Sequence, residues 1–296
     1  MKNVMLVIKG FIMGIANIIP GVSGGTLALT LGIYEKFINA LSNFMKDIKE
    51  NIKFLLPVVI GMGLSILVGS NVISAAFEKF PVPTTLFFMG LVLGGIPMII
   101  NKIKEGIKKD KKKKIKQNYK VNFGIMVVTF VFVMILAFSE EIFGSGLGDV
   151  NLNNINAIGY FILFLVGVVA AATMVIPGVS GSLVLMLLGY YLPVVNTIKE
   201  LTHFKNLGHN ILICIPFGLG ILIGIVLIAK LIEWLLNKYE TKSYFGVLGF
   251  IITSIIAIPV SVYHEVGYMP FGIIQGIIAI ALMVIGYIIG NKLGEK

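Results

Sequence analysis

Eight stretches of this chain carry no charged side chain: residues 10–34, 54–77, 80–101, 121–139, 150–198, 206–229, 243–264 and 266–291. A helix needs about 20 apolar residues to cross the hydrocarbon of a bilayer. Nearly all the stretches reach that length, and 150–198 is long enough to cross twice. Lipid offers exposed backbone groups no partner, so such spans must be helical. Composition agrees. The chain is 57% hydrophobic and 13% charged, against roughly 45–50% and about 25% in soluble domains. The expected fold class is all-α integral membrane.

The basic residues orient it. All 24 are lysine, and ten of them lie between 102 and 120, accompanied there only by Glu105 and Asp110. This segment reads as a cytoplasmic loop obeying the positive-inside rule, in contact with anionic headgroups. It is not a nucleic-acid signal. With it inside, 21 lysines fall on the cytoplasmic side and three (Lys79, Lys199, Lys205) outside. Both termini are then cytoplasmic. Lys9 interrupts the N-terminal apolar run and no small-residue cleavage site follows, so the run reads as mature protein. Between Lys9 and Lys36 only residues 10–34 are available, too few for two crossings, which predicts a re-entrant hairpin broken at Pro20. Cys214 stands alone, which excludes a disulfide framework or a multi-cysteine metal site.

The two halves resemble each other. Pro-Gly-Val-Ser-Gly occurs at 20–24 and again at 177–181, an offset of 157, and Gly32 and Tyr34 match Gly189 and Tyr191. Further on, Asn51, Pro57, Gly61, Thr84 and Gly90 match Asn210, Pro216, Gly220, Ser243 and Gly249 at an offset of 159. Each half (1–150 and 151–296) then holds one broken or re-entrant hairpin, which in the second half is long enough to be a double crossing, and three transmembrane helices, and the second half is inverted. Inverted repeats with broken helices characterise secondary transporters, with the substrate at the breaks.

Proline lacks an N–H and the following glycines accept left-handed backbone, so a helix must stop at Pro20 and Pro177. The freed amides, and the positive end of the helix that restarts, make an anion site without arginine. The candidate phosphate ligands are Lys9, Asn17, Gly21, Ser23, Gly24, Gly25 and Thr26 from the first break. Gly178, Ser180, Gly181 and Ser182 are those of the second. For Ser23 and Ser180 the competing role is helix capping, and for Lys9 it is snorkelling to the interface. Glu35, ending the first broken segment, is the candidate for proton coupling, against a plain interfacial carboxylate beside Lys36. Gly-Val-Ser-Gly also resembles the serine motif of rhomboid proteases. His203, His209 and His264 all fall near external ends, however, so no base is placed for it. No His, Asp or Glu cluster suggests a metal or cofactor, and the chain is not expected to be an enzyme.

Residues 9–26, then Gly32-Ile33-Tyr34-Glu35, resemble a bacterial and archaeal membrane family formerly classed as a domain of unknown function. Its members are now called polyprenyl-phosphate transporters (PopT type). Residues 173–182 with Gly189-Tyr190-Tyr191 are similar to its second block, and 87–91 also fits. The resemblance implies recycling of undecaprenyl phosphate from the outer to the cytoplasmic leaflet, where it is reloaded for cell-envelope polymers. The partners implied are this lipid phosphate and membrane lipids. A small-anion transporter or channel is the alternative, and an intramembrane lipid-acting enzyme is a third.

Overall fold

The computed structural model describes residues 2–16, 23–115, 118–138, 149–152, 155–179, 181–267 and 272–295. Every regular element among them is helical. α1 (Lys2–Ala16), α2 (Gly24–Thr30) and α3 (Tyr34–Ser42) form the first broken hairpin. The apolar part of α1, Asn3–Ala16, rises only about 21 Å, short of a hydrocarbon core of about 30 Å. The second hairpin repeats the order with α9 (Ala157–Val175), α10 (Gly181–Leu187) and α11 (Tyr191–Thr202). The chain turns after α2 at Gly32 (φ 69°) and after α10 at Gly189 (φ 74°). These two matched glycines occupy left-handed backbone that other residues rarely adopt. The second turn bends α10 against α11 by 111°.

Seven helical stretches among the described residues are long and apolar enough to cross a membrane. They are α4 (Ile48–Leu64, continued as a π-helix over Ser65–Gly69), α6 (Pro81–Leu93) with α7 (Ile96–Lys112), α8 (Tyr119–Ala137), α9, α12 (Leu207–Lys238), α13 (Glu240–Val266) and α14 (Ile273–Gly294). A short α5 (Ser70–Lys79) lies between α4 and α6. The lysine-rich segment is not the simple loop expected at 102–120, because α7 stays helical through Lys112. Its last turn carries Lys109, Lys111 and Lys112, where cations meet the partial negative charge of a helix C-terminus.

Packing is by close backbone approach. α1 lies on α4, α9 on α12, α6 on α14, and α8 on α13. A side chain at Gly10 would strike the Val58 carbonyl, and one at Gly167 that of Phe217. Gly61 meets Val7 as Gly220 meets Phe164; Gly90 meets Met283 as Gly249 meets Met126. The offsets of 157 and 159 that relate the sequence blocks thus also relate these contacts. Apolar driving force is weak between helices in lipid, and small residues that let backbones touch supply dispersion in its place.

The hairpins differ in how they are held. α2 buries Gly25, Thr26, Leu27, Ala28, Leu29 and Thr30, inside a core shared with α3, α4, α6, α7 and α13. α10 buries none of its residues. The second hairpin instead builds a smaller core with the first half of α12, around Leu163, Val166 and Ile213.

Candidate functional site

The C-terminus of α9 leaves carbonyls that no helical amide reaches, and Pro177 brings no N–H. The first hairpin supplies the missing partners. The Tyr34 hydroxyl donates to the Val175 carbonyl at 3.1 Å, and the Ser23 hydroxyl to that of Ile176 at 3.4 Å. The Gly178 amide donates to Thr26 Oγ1 at 2.8 Å, and that oxygen lies 3.3 Å from Ser254 Oγ of α13. Gly25 permits the approach, since a Cβ there would stand 3.1 Å from the Val175 carbonyl oxygen and 3.3 Å from the Pro177 backbone. Residues 23–26 after the first break and 175–178 at the second therefore meet, at a level about half-way along α13.

Of the expected ligands, Ser23, Gly25, Thr26 and Gly178 come together here. Gly24 opens α2, and Gly181 opens α10 beside Thr173. Ser182 lies on an exposed part of α10. Asn17, Gly21 and Ser180 lie outside the described residues. Ser23 has the extended backbone of an N-cap, yet its side chain makes no cap bond and crosses to the other break. Lys9 is neither snorkelling nor at the break. It is 3% exposed and donates to the carbonyls of Leu31 at 2.6 Å and Leu293 at 2.9 Å, at the opposite end of α2. Sequence reasoning missed Tyr34 as a site residue, although its match to Tyr191 marked it. It also missed Ser254, which had no signal beyond being a hydroxyl in an apolar run.

This centre is made of hydroxyls and amides that now satisfy one another. A hydroxyl can rotate from a backbone partner to a phosphate oxygen, so the same groups can hold an anion without a fixed charge. Residues 13–270 match the model of a family described as undecaprenyl phosphate translocase-like. The chain belongs to this family. It is 29% identical over 98% of its length to the polyprenyl-phosphate transporter of Staphylococcus aureus, covering 95% of that protein. It is 25% identical over 79% of its length to the polyprenyl-phosphate transporter of Vibrio cholerae, covering 70% of it. No solved structure matches it. Family membership and the seven apolar helices make this a multi-pass membrane protein of a transporter family.

This translocase-like chain also has a charged basin of about 610 Å³ at the lysine-rich end of its helices. Glu35 accepts from the Tyr244 hydroxyl and pairs with Lys102 at 3.0 Å. Glu233 accepts from Asn39 and Asn43, at 2.7 and 2.8 Å, and from Ser42. Glu240 pairs with Lys109 at 2.7 Å. The three carboxylates tie α3 and α7 to α12 and α13, and α7 owes its share to the lysine-rich segment. Glu35 lies outside the seven spans. Burial raises its carboxyl, but the Tyr244 hydrogen bond and the Lys102 ammonium outweigh this and hold it below the ordinary carboxylate range. A depressed carboxylate contributes stability at neutral pH that is lost only as pH falls through its folded-state value. In this conformation Glu35 is thus a clamp, ionised at neutral pH.

Proposed function

We propose that this chain carries a polyprenyl phosphate from the outer to the cytoplasmic leaflet of a bacterial or archaeal inner membrane, returning the lipid carrier for cell-envelope synthesis. The observation that carries the reading is the meeting of two hydroxyl-bearing helix breaks inside a bundle of apolar helices. A phosphate there takes the Ser23 and Thr26 hydroxyls and the Gly178 amide in place of the bonds they make to Ile176, to Ser254 and between Gly178 and Thr26. Asn17, Gly21, Ser180, Gly181 and Ser182 extend the donor set from the same segments. Neutral donors suit an anion that must also leave, because a fixed buried countercharge would trap it. The isoprenoid tail stays in hydrocarbon, so only the headgroup meets the barrier of several kcal/mol or more that an isolated charge faces there. The names of the relatives support the same substrate class. Reconstituted protein is expected to move undecaprenyl phosphate between leaflets and to bind it well above inorganic phosphate or sulfate. Proteoliposomes that carry sulfate or phosphate and ignore the lipid would establish a small-anion transporter instead.

In this reading 1–150 and 151–296 are inverted repeats, with both termini and the lysine-rich segment in the cytoplasm. The paired glycine contacts and the lysine distribution support it. With Cys214 replaced, single cysteines at Asp149 and Lys199 are expected to react with an impermeant thiol reagent outside the cell, and one at Lys112 is not. External labelling at Lys112 overturns the arrangement.

A further inference from the structure

α8, α12 and α13 leave a groove between them of about 470 Å³. Its walls are apolar, formed by Ile125, Leu231, Leu235 and Val247 among others. One end is closed by Ile176 and Pro177 of the second break, with Tyr34 beside them. The other end is rimmed by Tyr239, Lys242 and Ser243. From Lys242 to Phe250, both in its lining, α13 rises about 12 Å. Half of a hydrocarbon core is about 15 Å. The groove therefore spans most of the depth of one leaflet, and it runs from a basic rim to the central site.

The rim is an amphipathic cluster. The Lys242 ammonium lies 5.3 Å from the Tyr239 ring centre, and that of Lys238 lies 5.0 Å from Trp234 and 5.4 Å from Tyr239. Tryptophan and tyrosine gather at the headgroup level of membranes. Among the described residues neither lysine is in an ion pair, whereas Lys102 and Lys109 of the neighbouring basin are neutralised by Glu35 and Glu240. Two lysines with no ion pair among the described residues thus stand at the mouth of the apolar groove, as Lys36 and Lys113 do in the basin.

We propose that this groove is a docking site in the cytoplasmic leaflet for a single isoprenoid chain, with its terminal phosphate on Lys242 and Lys238. The inference rests on the substrate reading above and adds where the lipid comes to rest after crossing. Charge selects the occupant, while the volume, in the range of sites that hold one small molecule, about 300–1,000 Å³, admits the isoprene units nearest the phosphate. A phosphomonoester carries about −1.5 to −2 charges at pH 7, which two free ammonium groups match better than they match the single charge of a phosphodiester headgroup. A headgroup leaving the break then follows the groove outward to the rim, and its tail fills the space behind it.

The test uses full-length protein in proteoliposomes with a polyprenyl phosphate that bears a diazirine on one of the isoprene units next to its phosphate. Photolysis is expected to place adducts on Val247, Phe250 or the Ile176–Pro177 segment. The double variant Lys238→Gln with Lys242→Gln is expected to lower that yield at least tenfold, and excess phosphatidylglycerol to leave it unchanged. Val247→Trp, which fills the groove without touching the rim, is expected to abolish the adducts. Wild-type transport of the lipid without adducts in the groove, or with adducts that phosphatidylglycerol displaces, overturns the docking site and leaves the substrate reading standing. Loss of both transport and adducts in the wild-type protein overturns the two together.

Discussion

Replacing Gly25 with valine is expected to cut transport by about 10- to 100-fold while protein still reaches the membrane. A Cβ at this position would stand 3.1 Å from the Val175 carbonyl oxygen and 3.3 Å from the Cα and nitrogen of Pro177. The neighbour is backbone at a helix end, which cannot swing aside as a flexible side chain can. Valine adds two methyl groups beyond that Cβ. Overpacking of this kind typically costs about 1–3 kcal/mol, and each 1.4 kcal/mol is about tenfold in an equilibrium constant. The contact that brings Ser23 and Thr26 onto the second break is weakened by that factor, so the state that gathers the donors becomes rare. The bulk of the fold is held elsewhere, by the α1–α4, α9–α12, α6–α14 and α8–α13 pairs. Gly25→Ala should fall between the two. The measurement is lipid flux per folded protein in proteoliposomes. Wild-type flux in Gly25→Val would mean that the meeting of the breaks is not part of the transport cycle.

Lys9→Met is expected to act on stability. The ammonium is buried and donates to Leu31 at the end of α2 and to Leu293 near the end of α14. Both carbonyls belong to helix C-termini, where orphan acceptors and the helix dipole favour a cation. Methionine fills similar space but donates nothing. A buried group left unsatisfied costs about 1–3 kcal/mol. At about 2–4 °C per kcal/mol, the melting temperature in detergent should fall by at least about 2 °C. Lys36→Met should change it little, because Lys36 lies on an exposed position over the Phe54 ring. An unchanged melting temperature with weakened binding of the lipid phosphate would instead return Lys9 to the set of ligands. The matching position of the second half is Val166, so the staple belongs to the first hairpin alone, in keeping with a buried α2 and a largely half-buried α10.

The spans, the breaks and the internal repeat were legible without coordinates because each depends on local chemistry. A long charge-free run must be helical in lipid, proline and glycine must interrupt it, and a repeated block keeps its register in the chain. Lysine bias predicts sidedness on the same local terms. Those rules say that the carbonyls of Val175 and Ile176 and the amide of Gly178 need partners, and they do not say which. The partners are Tyr34, Ser23 and Thr26, 141, 153 and 152 residues away. Ser254 is 228 residues from Thr26. The same gap separates the charge on Lys9, visible in sequence, from its role, since an ammonium serves a phosphate or two helix ends equally well. Which one it meets depends on Leu293, 284 residues distant. Local pattern thus determined where the chain crosses the membrane and where it breaks. Only tertiary packing decided which polar groups the breaks find, because a hydrogen bond is specified by position in space and any hydroxyl of suitable reach could have supplied it.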